Sequence, residues 1–139
     1  MSQPGLSESR LKLIRLVFAF FAVTSFALGG WMLLDPVGAW GSMGIDISGN
    51  AFPAGIYSGA ILGEGVIFAL GAKNPTRYIV FLQYLMVYKA LACLGGALVL
   101  LRMDAAPIGG WIVLAGWAFA GLTGAAIYPW GQATPQKPA

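Results

Sequence analysis

Glu64 and Lys89 are one acid and one base, each near the middle of a long apolar run that carries no other charge. An isolated charge in the hydrocarbon of a bilayer is disfavoured by at least ~2.5 to 3.5 kcal/mol on insertion scales, so a residue of this kind needs a reason to be there. The pair offers three: mutual neutralisation between facing helices, a proton or substrate site, or contact with a partner subunit. Counted from Asn74, Glu64 lies about ten residues up one helix and Lys89 about fifteen up the next, a depth difference of about 7 Å at about 1.5 Å per residue. Side chains lean toward the amino end of their own helix, and in antiparallel helices the two leans are opposed, so the gap closes. The spacing predicts a direct or water-bridged contact within one hairpin, with an internal ion pair as the favoured role.

The surrounding residue types narrow the chemistry. Tyr57 precedes Glu64 by seven residues and shares nearly its face, and Cys93 follows Lys89 by four. Gln83, Tyr84 and Tyr88 add hydrogen-bonding groups on another part of the same helix as Lys89, and together with Tyr57 they are expected to line a small polar pocket. The chain has no histidine, which removes the usual axial ligand of haem, the commonest zinc ligand and the commonest neutral-pH acid and base. The single cysteine, Cys93, is read as a small buried hydrophobe, and it can neither close an intrachain disulfide nor hold an iron–sulfur cluster. Glycine-rich phosphate and dinucleotide fingerprints are missing as well. No cofactor, no metal and no catalytic residue is therefore expected. The net charge of +3 comes from bases placed where membrane topology needs them, so the expected partners are anionic lipid headgroups and not nucleic acid.

Composition dictates the elements that carry these residues. Of 139 residues, 58% are hydrophobic and only 9% charged, against about 25% charged in a typical soluble domain. Four blocks, approximately 11–34, 51–71, 76–101 and 106–128, are each long enough to cross about 30 Å of hydrocarbon, which takes about 20 residues of helix. They do not alternate polar and apolar residues as barrel strands do, and lipid leaves no partner for unpaired backbone groups. The expected fold is all-α: a polytopic membrane protein whose four-helix bundle forms one domain over residues 1–130, followed by a short disordered tail, 131–139. Asp35-Pro36 ends the first span. Asn74-Pro75 reads as an N-cap and first helical residue of the third, which makes the second and third spans a tight antiparallel hairpin.

Basic residues set the orientation. Arg10, Lys12, Arg15, Lys73, Arg77 and Lys137 fall on one side and Arg102 alone on the other, six against one, which puts both termini in the cytoplasm. Trp31, Trp40 and Trp111 then mark the outer interface and Tyr78, Tyr128 and Trp130 the inner one, while Trp117 lies within the fourth span and is read as packing. The start of the chain also has the layout of a secretory signal, with Ser25-Phe26-Ala27 as a cleavage site, but the apolar run continues to Leu34 and the first span is expected to be retained. The compartment is a bacterial inner membrane or its equivalent.

Two further segments invite contact with something else. Gly55, Gly59 and Gly63 recur every four residues and form a groove that lets another helix approach closely, for which packing inside the bundle is the favoured reading and a partner subunit or second copy the other. The connection from Asp35 to Asn50 is longer than most loops. Its apolar residues Trp40, Met43, Ile45 and Ile47 are expected to lie on the membrane surface, to fold over the mouth of the bundle or to dock a partner.

Leu33-Leu34-Asp35-Pro36 closing the first span, Gly63-Glu64 in the second, Gly71 before the turn and Arg77 opening the third resemble the DoxX-like group of small four-helix membrane proteins. That resemblance implies a four-helix bundle and, in some relatives, an accessory role beside a quinone-linked oxidoreductase. Three functions remain. The favoured one is a noncatalytic integral subunit or assembly factor of a larger membrane complex, respiratory or photosynthetic. The second is a small proton-coupled transporter using Glu64, although small multidrug exporters of this size carry their acid in the first span, where this chain has none. The third is a quinone- or lipid-handling enzyme using Glu64 and Tyr57.

Overall fold

A computed structural model of the chain describes residues 6–130. The tail 131–139, with Lys137, lies outside them. Five helices follow in order: α1 (Glu8–Leu34), α2 (Pro36–Ser42), α3 (Phe52–Lys73), α4 (Val80–Leu100) and α5 (Ile108–Ile127), with no strand among the described residues. All but α2 are long and apolar enough to cross a membrane.

Local chemistry sets most of the ends. Ser7 caps α1 by accepting the Arg10 N–H, which starts the helix ahead of its apolar run. Asp35 stops α1 and opens α2, because Pro36 has no N–H to continue the ladder while the Asp35 carboxylate accepts the Gly38 N–H at 2.9 Å. The turn after α3 departs from expectation. Asn74 does accept the Arg77 N–H, at 3.2 Å, and the Thr76 hydroxyl, at 2.9 Å, but residues 76–79 form turns and α4 begins only at Val80. Pro75 thus closes one helix without opening the next.

The expected tight α3–α4 hairpin is the main correction to the architecture. The closely packed pairs are α1 with α3 and α4 with α5, whereas α3 and α4 touch at few points. Small residues explain the choice. A Cβ on Gly71 would lie 2.7–2.8 Å from the ring of the fully buried Phe18, and one on Gly65 would lie 2.9 Å from Phe26, so α3 reaches α1 through positions with no side chain. Gly96 and Gly110 do the same along the other pair, where added Cβ atoms would meet Leu114 and Leu100 at 2.6 and 2.8 Å. Between the pairs, midway along the bundle, Glu64 of α3 meets Lys89 of α4.

Each end of the bundle is closed separately. At the end where α1 and α4 begin, Phe18 and Phe21 meet Phe68, Leu82, Leu85, Ile127 and Tyr128 in one apolar cluster, and the Arg10 guanidinium donates to the Tyr128 carbonyl at 3.2 Å. At the other end α2 folds over the bundle. Ala39 is fully buried, and Trp40 and Met43 pack with Met32, Ile61 and Tyr57. The following turn passes through Gly44, whose φ of +77° is the only positive value among the described residues, and lies against Pro107 at the entry to α5. Beyond it the Ser48 N–H donates to Asp46 and holds that exposed carboxyl below its usual range.

Thermal unfolding in mild detergent distinguishes the two glycine faces of α3. Gly71→Ala drives a methyl into a ring that has nowhere to move and should destabilise the chain by about 1–3 kcal/mol. Gly59→Ala, whose methyl would meet nothing within 4 Å, should leave the midpoint unchanged or raise it slightly.

Candidate functional site

Ala54, Ser58, Ile61, Glu64, Gly65, Phe68 and Gly71 are the buried positions of α3, spaced three or four apart as one helical face requires except for the adjacent Glu64 and Gly65. Glu64 therefore occupies a position a hydrophobe would otherwise fill. Lys89 likewise continues the buried row of Leu82 and Leu85 on α4. The ammonium lies 3.0 Å from both carboxylate oxygens of Glu64, a two-pronged contact between side chains only 10% and 9% exposed. The contact expected from the sequence is made, across helices that otherwise barely touch.

Aromatic faces complete the surroundings of the ammonium. Its Nζ sits 4.7 Å from the centre of the Tyr88 ring and 5.5 Å from that of Trp117, distances at which a ring face attracts a cation. Trp117 in turn packs on Tyr57 at 6.1 Å between centroids, and Tyr57 on Trp40 at 5.3 Å. This row of rings runs from α2 through α3 to α5. The indole N–H of Trp40 is buried without a hydrogen-bond partner.

Beside the pair, between α1 and α5, a cleft of about 340 Å³ opens from the floor formed by Glu64 and Lys89 to the outside of the bundle. Phe20, Phe21, Phe68, Phe119 and Trp117 form much of its walls, with Gly116 and Ala120 on α5. Thr24 and Ser25 also line it, but the Thr24 hydroxyl is turned to the carbonyls of Phe20 and Phe21 on its own helix. Apart from the ion pair and the Ser25 hydroxyl the cleft is apolar.

The expected polar pocket is not formed. Gln83 lies six residues before Lys89, about 240° around the helix, so it points elsewhere. It donates to the Tyr128 hydroxyl at 2.5 Å, near the end of the bundle. Tyr84 is half exposed and stacks on Tyr88 at 5.6 Å, while Tyr57 is held among the tryptophans. Only Tyr88 of the four touches the ammonium. The Cys93 thiol donates to the Leu114 carbonyl at 3.5 Å, along the α4–α5 seam.

The other candidates also divide. Gly55, Gly59 and Gly63 are exposed, and a Cβ on any of them would meet nothing within 4 Å, so packing inside the bundle is not their role. Their regular spacing concealed that the inward glycines of α3 are Gly65 and Gly71, which lie on the opposite side. Trp40 and Met43 are committed to the bundle's own core and not to an outside surface, and Ile45 is half-buried. Sequence reasoning missed the part of Trp117 beside Lys89 and the whole cleft. Gly116 and Ala120, small residues one turn apart, were the one available signal.

Among the described residues no three His, Cys, Asp or Glu side chains gather into a metal site. Compared with models of known protein families, with curated proteins and with solved structures, the chain matches none. Its own geometry must carry the functional reading.

What that geometry does chemically is neutralise itself. Burying two charges is costly, and the contact of both carboxylate oxygens with one ammonium is what offsets it. Removing one partner is the severe change: Glu64→Gln should cost about 3–5 kcal/mol, because the ammonium of Lys89 stays buried without its counter-charge. Replacing both residues together, Glu64→Leu with Lys89→Met, should recover most of that loss. Equilibrium unfolding of the three proteins in the same detergent checks the ordering.

Proposed function

We propose that this chain is an integral membrane protein that crosses the bilayer four times with both termini in the cytoplasm, and that it serves as a noncatalytic subunit or assembly factor of a larger membrane complex. Its exterior supports the first part. Leu16, Val23, Ile56, Leu91, Ile112 and Leu122 are each more than 60% exposed, an outer surface suited to lipid and not to water. Arg10, Lys12, Arg15, Lys73 and Arg77 gather where α1 and α4 begin and α3 ends, and Arg102 lies at the opposite end. The compartment that fits this charge pattern is a bacterial inner membrane.

The second part rests on one observation. Gly55, Gly59 and Gly63 make an uncovered row of three glycines one turn apart along α3, whereas the other uncovered glycines of the long helices, Gly30, Gly95 and Gly116, stand singly. Helices in lipid associate by close van der Waals packing at small residues, and a face of this kind fits another transmembrane helix. Self-neutralised charges and a sequence without histidine agree with a noncatalytic role. The DoxX-like resemblance favours an electron-transfer assembly, respiratory or photosynthetic, as the larger complex. The transporter reading draws on Glu64, yet both oxygens of that carboxylate are engaged by Lys89. A site that must trade protons for substrate needs that contact to open.

Purification from its native membrane in mild detergent should recover the chain with stoichiometric membrane partners. Gly59→Leu fills the groove without touching the chain's own core and should release those partners while leaving its thermal midpoint unchanged. A wild-type chain that elutes as a clean monomer or homodimer overturns the subunit reading. Topology is checked independently. In a Cys93→Ser background, Ser9→Cys should resist a membrane-impermeant maleimide added to intact cells, whereas Asp104→Cys should react.

A further inference from the structure

We infer that the cleft between α1 and α5 binds a neutral, membrane-soluble ring compound through one hydrogen-bond-accepting oxygen, a ketone being the simplest case, with that oxygen on the ammonium of Lys89. The inference rests on the membrane reading above and is independent of the partner subunit. Four features of the cleft carry it.

The volume of about 340 Å³ lies within the range of small-molecule sites, roughly 300–1,000 Å³. Phe20, Phe21, Phe68, Trp117 and Phe119 give its wall five aromatic rings beside aliphatic Leu28, Ile61, Leu85 and Val113, a lining suited to stacking with flat rings. The floor supplies a charged donor without a second oxygen partner: two of the three N–H groups of Lys89 go to the oxygens of Glu64, and the third has only the Tyr88 and Trp117 rings near it among the described residues, while the Ser25 hydroxyl on the wall is a weaker, neutral donor. Finally, the floor is charged but balanced. An anion would have to take Lys89 from Glu64, and a cation Glu64 from Lys89, and either exchange strands a buried charge. A neutral acceptor adds a contact and strands nothing.

Access fits the same class of ligand. Phe20 and Phe119 at the cleft are 55% and 63% exposed, so the mouth faces sideways, toward the bilayer core, where lipophilic compounds concentrate. No water-filled route is required. Gly116 lines the cleft, and a Cβ there would meet nothing within 4 Å, so the opening is kept clear by a missing side chain.

Benzophenone, two aryl rings and one carbonyl, serves as ligand and photolabel together. The full chain in phosphatidylcholine nanodiscs is irradiated with it and the labelled peptides are mapped by mass spectrometry. Labelling should saturate and concentrate on Phe20–Leu28 of α1 and Val113–Ala120 of α5. Fluorenone, which keeps the carbonyl, should compete at least about tenfold better than diphenylmethane, which lacks it. Gly116→Leu should abolish the saturable component with the thermal midpoint unchanged, and the Glu64→Leu with Lys89→Met protein should erase the preference for the ketone. Equal competition by the two compounds means apolar filling only and overturns the site, as does unsaturable labelling spread over the outer faces of α3 and α4. A chain that elutes apart from the nanodiscs overturns the membrane reading and the site with it.

Discussion

The contact between the ammonium of Lys89 and both oxygens of Glu64 is the constraint on which the middle of this bundle depends. Glycine seams join α1 to α3 and α4 to α5, and between the pairs glycine contact is confined to the end where Gly109 of α5 lies against the Met43 backbone after α2. At the two ends, apolar clusters and the folded-over α2 connection hold the pairs together. Halfway along, they meet through two long side chains. Neither residue is tolerable there alone, so the bundle's arrangement and the pair's survival in an apolar interior are the same requirement.

An ion pair gives something a hydrophobic contact does not. With the bundle in lipid, as proposed above, apolar surface would have little preference for other helices over lipid tails, so additional leucines between α3 and α4 would fix neither depth nor rotation. A carboxylate and an ammonium that must find each other fix both. The opposed leans of the two side chains mean that sliding either helix by one turn, about 5.4 Å, would break the contact. Register is thus specified at one point, and the close glycine packing within each pair can be satisfied on either side of it.

The elements were readable from sequence because their causes are local. Composition and block length give the four long helices, Asp35-Pro36 gives the break after the first, and opposed leans give the 3.0 Å contact between residues 25 positions apart. The partnering of helices was not readable, for a physical reason. Helices of this composition are apolar all round, so periodicity does not say which face turns inward, and loop connectivity is a poor substitute. Connectivity argued for α3 beside α4, while glycines at Gly65, Gly71, Gly96 and Gly110 decided for other partners. The same ambiguity moved the Gly55–Gly59–Gly63 face from inside to outside. It also scattered Gln83 and Tyr84 away from the ion pair, since sharing a helix with Lys89 is not sharing its face.

The cleft follows from this mode of assembly. Two pairs that are tight within themselves meet midway through Glu64 and Lys89 and leave a gap along the α1–α5 line. Phe20, Phe21 and Phe119 surround the resulting gap without filling it, and Gly116 leaves its mouth open. Filling the space would take a larger residue at Gly116, where an added side chain would meet nothing within 4 Å. A locked ion pair and an open greasy cleft are therefore two consequences of one arrangement. The charges join the two pairs at one depth, and the space left beside that contact is the cleft.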